Sequence, residues 1–187
     1  LVERIGGESV SPYQPDKLWE LMSNMKYKQS SGEDLYRRSL YTIWKRTIPP
    51  PSMALMDAAD RESCIVSSKR TNTPLQALTL LNEKTFVEAA RNLGQRLLQE
   101  GGDTMGEQVE FGFRTTLART PSERESALLE SAYREYRDAY EEDLVGAEQL
   151  IGVGESEAIA SLDPRDLAAA TALSNVLLNL DEAMTKE

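Results

Sequence analysis

Asp57, Asp60 and Glu62 place three carboxylates within six residues, in a stretch without helical period. Acids on such loops are candidates for general acid–base work. A hydrolase built on two carboxylates needs them to face one another across the bond being cut. Separations of three and two residues do not by themselves impose that geometry. Asp57 and Asp60 serve equally well as helix caps, and Arg61 is placed to pair with either. The three acids are therefore catalytic candidates with a structural reading beside them.

A second set is basic, aromatic and polar: Arg37, Arg38, Trp44, Arg46, Arg61, Arg70, Asn72 and Gln76. Arginine forks grip carboxylates or phosphates, and a tryptophan face stacks on a sugar or on an arginine. These are the candidate binding residues. The competing reading is that the arginines tie an irregular loop to its helices.

Other chemistries are excluded by what the chain lacks. It contains no histidine, which removes the commonest general base and a favoured zinc ligand. Cys64 is the lone cysteine, so no internal disulfide or cysteine metal cage is possible, and a small buried hydrophobe is expected there. No loop carries the acidic spacing with a central glycine that calcium wants, and no phosphate-cradling glycine loop is present. The expected metal set is empty, and no Cys-x-x-Cys-His haem attachment occurs.

Composition sets the class. The 187 residues are 40% hydrophobic and 28% charged, which suits a folded globular chain. No apolar run approaches the roughly 20 residues of a membrane helix. The net charge of −10 is uneven: residues 1–100 carry 14 Lys/Arg against 12 Asp/Glu, and residues 101–187 carry 7 against 19. Such a surface repels phosphate backbones, so nucleic acid is not an expected partner. The chain opens on Leu1 rather than Met, which reads as a domain cut from a longer protein.

The elements that must position the candidates follow from spacing. Residues 1–16, with Gly6-Gly7, Pro12 and Pro15, read as irregular. Asp16 would cap a short helix from Lys17 to about Met25. Tyr36, Leu40, Ile43, Trp44 and Thr47 recur every three or four residues, which predicts a helix from about Glu33 to Arg46. Pro49-Pro50-Pro51 ends it as a polyproline II spacer. Thr73-Pro74-Leu75-Gln76 is a capping box with proline in the first turn. The helix it opens should bury Leu75, Leu78 and Leu81. A second stretch, recapped at Asn82, carries Phe86, Ala89, Ala90, Leu93 and Leu97 to Glu100, where Gly101-Gly102 stops it.

Thr104 with Glu107 is a further capping box, opening a helix through Val109, Phe113 and Leu117. Thr120-Pro121-Ser122-Glu123 repeats the device for a helix to about Asp143. The short link makes these two an antiparallel hairpin. Residues 144–162 hold at most short helical turns. Asp163-Pro164 opens a last helix to about Ala183, with Leu167, Ala170, Leu173, Leu177 and Leu180 inward. The expected fold is all-α: an irregular bundle of about six helices with a long ordered proline-rich loop, forming one domain over 1–187.

Several motifs together resemble a known family. They are Gly6-Gly7 with Pro12-Tyr13-Gln14-Pro15, Tyr36 to Thr42 with Trp44-Lys45-Arg46, and the triple proline. Asp57, Asp60-Arg61-Glu62, Arg70 to Leu78, Leu81-Asn82, Arg119-Thr120-Pro121 and Val176 to Glu182 continue the match. The set resembles the planctomycete-specific C-terminal domain of unknown function called PSD-one. Lys84 departs from the pattern, which often has proline there.

The resemblance implies a domain ending a large, exported bacterial protein, periplasmic or at the cell surface. A c-type haem would sit on a separate upstream domain, with no cofactor in this one. It supplies no catalytic residues. The expected function is a non-catalytic binding or interaction module of an envelope protein. Its partners would be other domains of the parent chain, or a carbohydrate or envelope ligand. The alternative is a hydrolase-like domain using the loop acids.

Overall fold

The computed structural model describes residues 1–22, 26–59, 62–64 and 71–185, with the side chains of residues 21 and 22 left aside. Asp60, Arg61, Ile65, Val66, Arg70 and the end of the expected first helix lie outside the described residues. The chain forms two compact units, Leu1–Gln76 and Ala77–Glu187. Among the described residues the regular structure is helical, joined by isolated bridges rather than strands. No described helix is long and apolar enough to cross a membrane.

In the first unit the opening segment lies beside residues 36–43. Val2 pairs with Arg37 and Val10 with Thr42, both in parallel. The Val2 N–H donates to the Tyr36 carbonyl (2.9 Å), and the Ile43 N–H donates to the Val10 carbonyl (2.8 Å). This pairing overturns the helix expected from Glu33 to Arg46. Only two 3-10 turns form there, Gly32–Tyr36 and Ser39–Tyr41. Leu40 from the expected apolar stripe is 77% exposed, while Leu35, Arg37, Thr42 and Ile48 are buried. Backbone groups that would close helical rings are used instead to bond the opening segment, and no helical period joins the residues that go inside.

Helix α1 spans Leu18–Met22 and begins after Lys17, whose φ of 62 is left-handed. Its Trp19 is buried, with the Tyr27 ring edge-on at 5.0 Å and the Lys45 ammonium over the indole. The triple proline is more than a spacer: Pro51 is the first residue of α2 (Pro51–Leu55), where its missing N–H costs nothing. Cys64 is exposed, against the expectation of a buried hydrophobe.

Helix α3 (Pro74–Asn82) leaves the first unit, and the second continues with α4 (Lys84–Glu100), α5 (Met105–Leu117) and α6 (Glu123–Glu142). There follow α7 (Leu144–Ile151), α8 (Pro164–Leu178) and α9 (Asp181–Met184). Helix α8 is the central element of this unit and packs on α4, α6 and α7. Its Ala168, Ala169 and Ala170 are 0%, 0% and 1% exposed, so neighbouring helices approach its backbone closely. A core of Leu97, Val109, Phe113, Leu129, Leu173 and Leu177 joins α4, α5, α6 and α8.

The starts of α5 and α8 are as the spacing dictates. Thr104 and Glu107 form a full capping box, and the Asp163 side chain accepts from the Arg165 N–H with Pro164 in the first turn. Three details differ. Glu83, not Asn82, caps α4. Ser122 with Glu125 is the capping box of α6, two residues later than expected. The sequence offers two overlapping boxes there, and Arg119 selects the second by binding Glu125. Residues 144–151 form a full two-turn helix, because the Asp143 side chain accepts from the Gly146 N–H and Ala147 is fully buried.

The α3 leucines also face the other way. Leu75, Leu78 and Leu81 are 53%, 55% and 41% exposed, whereas Gln76 and Leu80, four residues apart, point inward at 3% and 8%. Within the second unit, the Asn175 side chain of α8 and that of its cap Asn179 donate to the Leu81 and Ala77 carbonyls of this helix. The last helix breaks at Asn179, leaving α9 as a separate turn.

Burial also fixes two phenols. Tyr27 donates to the Pro12 carbonyl (2.5 Å), and desolvation pushes its pKa up to about 12. Tyr133, against the second unit's core, is likewise pushed to about 12 by burial and then by the Asp166 charge. Raised folded values mean a stabilising contribution that is intact below the ordinary tyrosine pKa and lost as pH climbs from about 10 to 12. An ultraviolet absorbance titration of the chain's seven tyrosines is expected to include a component near pH 12, from Tyr27 and Tyr133. Ionisation of all seven in one step near pH 10 would contradict it.

Candidate functional site

Gln76 is the centre of the polar structure around the loop acids. The capping box read from sequence is present: the Thr73 N–H donates to Gln76 Oε1 (2.8 Å) and the Gln76 N–H donates to Thr73 Oγ1 (3.3 Å). The amide does more than cap. Its Nε2 donates to the Leu55 carbonyl (2.8 Å), to Thr71 Oγ1 (2.8 Å) and to Asp57 Oδ2 (3.3 Å). The Thr71 hydroxyl in turn donates to Asp57 Oδ2. Asp57 sits at φ 56, a left-handed conformation that aspartate tolerates better than most residues. One buried amide thus ties the end of α2 to the start of α3.

Asp57 is therefore held by a threonine and an amide, and Glu62 by Arg46 (Nε to Oε1, 2.9 Å). Asp60 lies outside the described residues. The Arg46–Glu62 pair is exposed at 78% and 52%, so it adds little stability. Replacing Gln76 with alanine is expected to cost about 1–2 kcal/mol, because the half-buried Leu55 loses a donor to its carbonyl and the Thr73 N–H loses its acceptor. Urea unfolding measures this; a change under about 0.5 kcal/mol would show that the knot is ornamental.

Arg37 is 5% exposed and folds the opening segment around itself. Its Nη2 donates to the carbonyls of Arg4 (2.9 Å) and Gly6 (2.6 Å), and its Nη1 to that of Glu8 (3.4 Å). The guanidinium carbon lies 3.7 Å above the centre of the Tyr41 ring. Gly6 and Gly7 take φ of 80 and 92, and a Cβ on Gly7 would come within 3.3 Å of Arg37 Nη1. The glycine pair is thus explained by the arginine it wraps. The Gly6 N–H donates to the Tyr41 hydroxyl (3.0 Å). That bond, with the charges of Arg37 and Arg38, holds the Tyr41 pKa below its usual value. Arg38 and Asn72 are exposed, Trp44 is half-buried, and Arg61 and Arg70 lie outside the described residues.

The strongest polar cluster is one that sequence reasoning missed. On α4, Glu88, Arg91 and Gln95 are 2%, 1% and 6% exposed. Arg91 Nη1 donates to the carbonyls of Ile151 (2.7 Å) and Val153 (2.8 Å), and Nη2 donates to the Ser156 carbonyl (2.6 Å). Glu88 Oε1 accepts from the Ser156 N–H (2.7 Å) and hydroxyl (2.5 Å). The Ile159 N–H donates to Gln95 Oε1 (2.8 Å). The spacing 88, 91, 95 is a helical stripe and was available as a signal. Polar stripes usually face water, so only the packed structure identifies this one as internal. Both terminal nitrogens of Arg91, Glu88 Oε1 and Gln95 Oε1 are taken by the end of α7 and the segment after it, a fastening rather than a recognition site. Among the described residues no group of three or more potential metal ligands gathers.

The chain matches the profile of PSD1, "Protein of unknown function (DUF1553)", over residues 1–133. It belongs to the PSD1 family. The matched span covers the Arg37 and Gln76 centres of this PSD1 chain and runs to the middle of α6. The α7–α8 region that Arg91 clasps lies beyond it. No curated protein and no solved structure matches the chain.

Proposed function

We propose that this PSD1 chain is a non-catalytic interaction module of a longer exported protein, and that it docks against another domain of its own parent. The observation that carries this reading is the outward leucine row of α3, Leu75, Leu78 and Leu81. Three large apolar side chains at intervals of three form one stripe on a helix, and contiguous exposed apolar surface marks an interaction site. The use of the described loop acids supports the same reading. Asp57 and Glu62 are engaged by Thr71, Gln76 and Arg46, groups that fasten a loop, rather than by each other. The resemblance supplies the setting: an envelope location, and a haem on a separate domain of the parent.

Calorimetric titration of the chain against separately expressed upstream domains of its parent tests the proposal. Saturable binding is expected, weakened at least about tenfold by Leu78→Glu with Leu81→Glu while the melting temperature holds. A melting shift with envelope polysaccharide, and no binding to the parent domains, would replace this reading with a carbohydrate one. Binding to neither would end it.

A further inference from the structure

Two motifs noted in the sequence and unused by the functional reading meet in the fold. Arg119 follows α5, where Ala118 turns the chain through the left-handed region at φ 57. Its guanidinium lies 5.0 Å above the ring of the core residue Phe113. One side of the fork holds Glu125, with Nη2 to Oε1 at 2.7 Å and Nη1 to Oε2 at 3.1 Å. The other side reaches 63 residues along the chain to Glu182, with Nε to Oε1 at 2.9 Å and Nη2 to Oε2 at 2.8 Å. Glu125 Oε2 also accepts from the Ser122 N–H (2.7 Å), so the same arginine touches the cap of α6 and the side chain of α9.

Helix α9 has four residues, too few to hold a helix unaided. Its own hydrogen bonds are few: the Ala183 and Met184 N–H groups donate to the Leu180 carbonyl, and the Thr185 N–H donates to that of Asp181. What seats it is Leu180, partly buried against the core cluster, together with Glu182. We infer that α9 is a strap that opens and closes separately from the helical body, and that Arg119 is its electrostatic catch. Opening withdraws Leu180 from the Phe113 cluster while the α6 cap stays closed on Glu125.

The catch responds to salt and acid. The charged groups acting on Glu182 are Arg119, which holds its pKa below the usual range, and Glu125, which opposes this. Glu125 is lowered to about 2, chiefly by its bonds to Arg119. Depressed carboxylate values mean a contribution present above the ordinary glutamate pKa and lost as pH falls toward 2. All three side chains are at least one-third exposed, so added salt weakens the catch at neutral pH.

Amide hydrogen exchange on the whole chain tests this, with Ala183, Met184 and Thr185 as reporters of the strap and Leu173 and Leu177 as reporters of the body. Glu182→Gln leaves the Arg119–Glu125 pair intact. It is expected to raise exchange at the three strap amides about three- to tenfold, with the body amides unchanged. Raising salt from about 0.02 M to about 0.5 M should do the same to the native chain. Strap amides indifferent to both changes would overturn the catch. Body amides accelerating by the same factor would overturn the strap's independence.

Discussion

Replacing Arg91 with alanine is expected to lower the unfolding free energy by about 3–5 kcal/mol. The side chain is 1% exposed, and its guanidinium serves three backbone carbonyls, those of Ile151, Val153 and Ser156. Removing it leaves those carbonyls without this donor and the buried Glu88 without its cation at 3.5 Å. A buried ion pair is not in itself a large stabiliser, since replacing both partners with apolar groups is often neutral. Arg91→Met combined with Glu88→Gln separates the two effects. If the ion pair were the whole matter, the double variant would recover most of the loss. Recovery is expected to be partial, because the carbonyls still lack a donor. Urea unfolding of the two variants decides; an alanine loss below about 1.5 kcal/mol would refute the assignment.

Gly94→Ala is expected to destabilise by about 2–3 kcal/mol, although alanine is the better helix former by about 1 kcal/mol. Gly94 lies mid-way along α4, and a Cβ there would come within 2.9 Å of the Ala170 carbonyl carbon and the Thr171 nitrogen. Those are backbone atoms of the buried helix α8, and they move only if the two helices separate. Gly106→Ala is the control. Its nearest neighbour would be the Glu130 Oε1 atom at 3.4 Å, the far end of a long side chain. That change should lie within about 0.5 kcal/mol of neutral. Thermal unfolding that shifts Gly94→Ala and Gly106→Ala equally would mean that the α4–α8 contact is looser than described.

Much of the helical framework was legible because it depends on neighbours in the chain. The capping boxes at Thr73 and Thr104, Pro164 in the first turn of α8 and the glycine stop at Gly101 each involve groups a few residues apart. Local hydrogen bonds of this kind form whenever the helix does. The all-α class followed from the same signals.

The failures share a different cause. The stripe from Tyr36 to Thr47 had helical spacing, yet the opening segment, more than 30 residues earlier, claimed its backbone groups. The α3 leucines had core spacing, yet Leu75, Leu78 and Leu81 are exposed, while Gln76, bound to Leu55, Asp57 and Thr71, is buried. The polar residues at 88, 91 and 95 drew no reading from the sequence, yet Glu88 and Arg91 are 2% and 1% exposed and Gln95 is buried beside them. The candidate site divides along the same line. That Gln76 caps a helix was readable from four residues. That it also restrains Asp57, and that Arg37 is wrapped by Gly6 and its neighbours, depended on contacts closed across 19 and about 30 residues. Spacing along a chain determines which surfaces a helix can offer; which surface is hidden depends on what distant segments bring to it, because a buried hydrogen-bonding group left unpaired costs about 1–3 kcal/mol and must meet its partners wherever they lie.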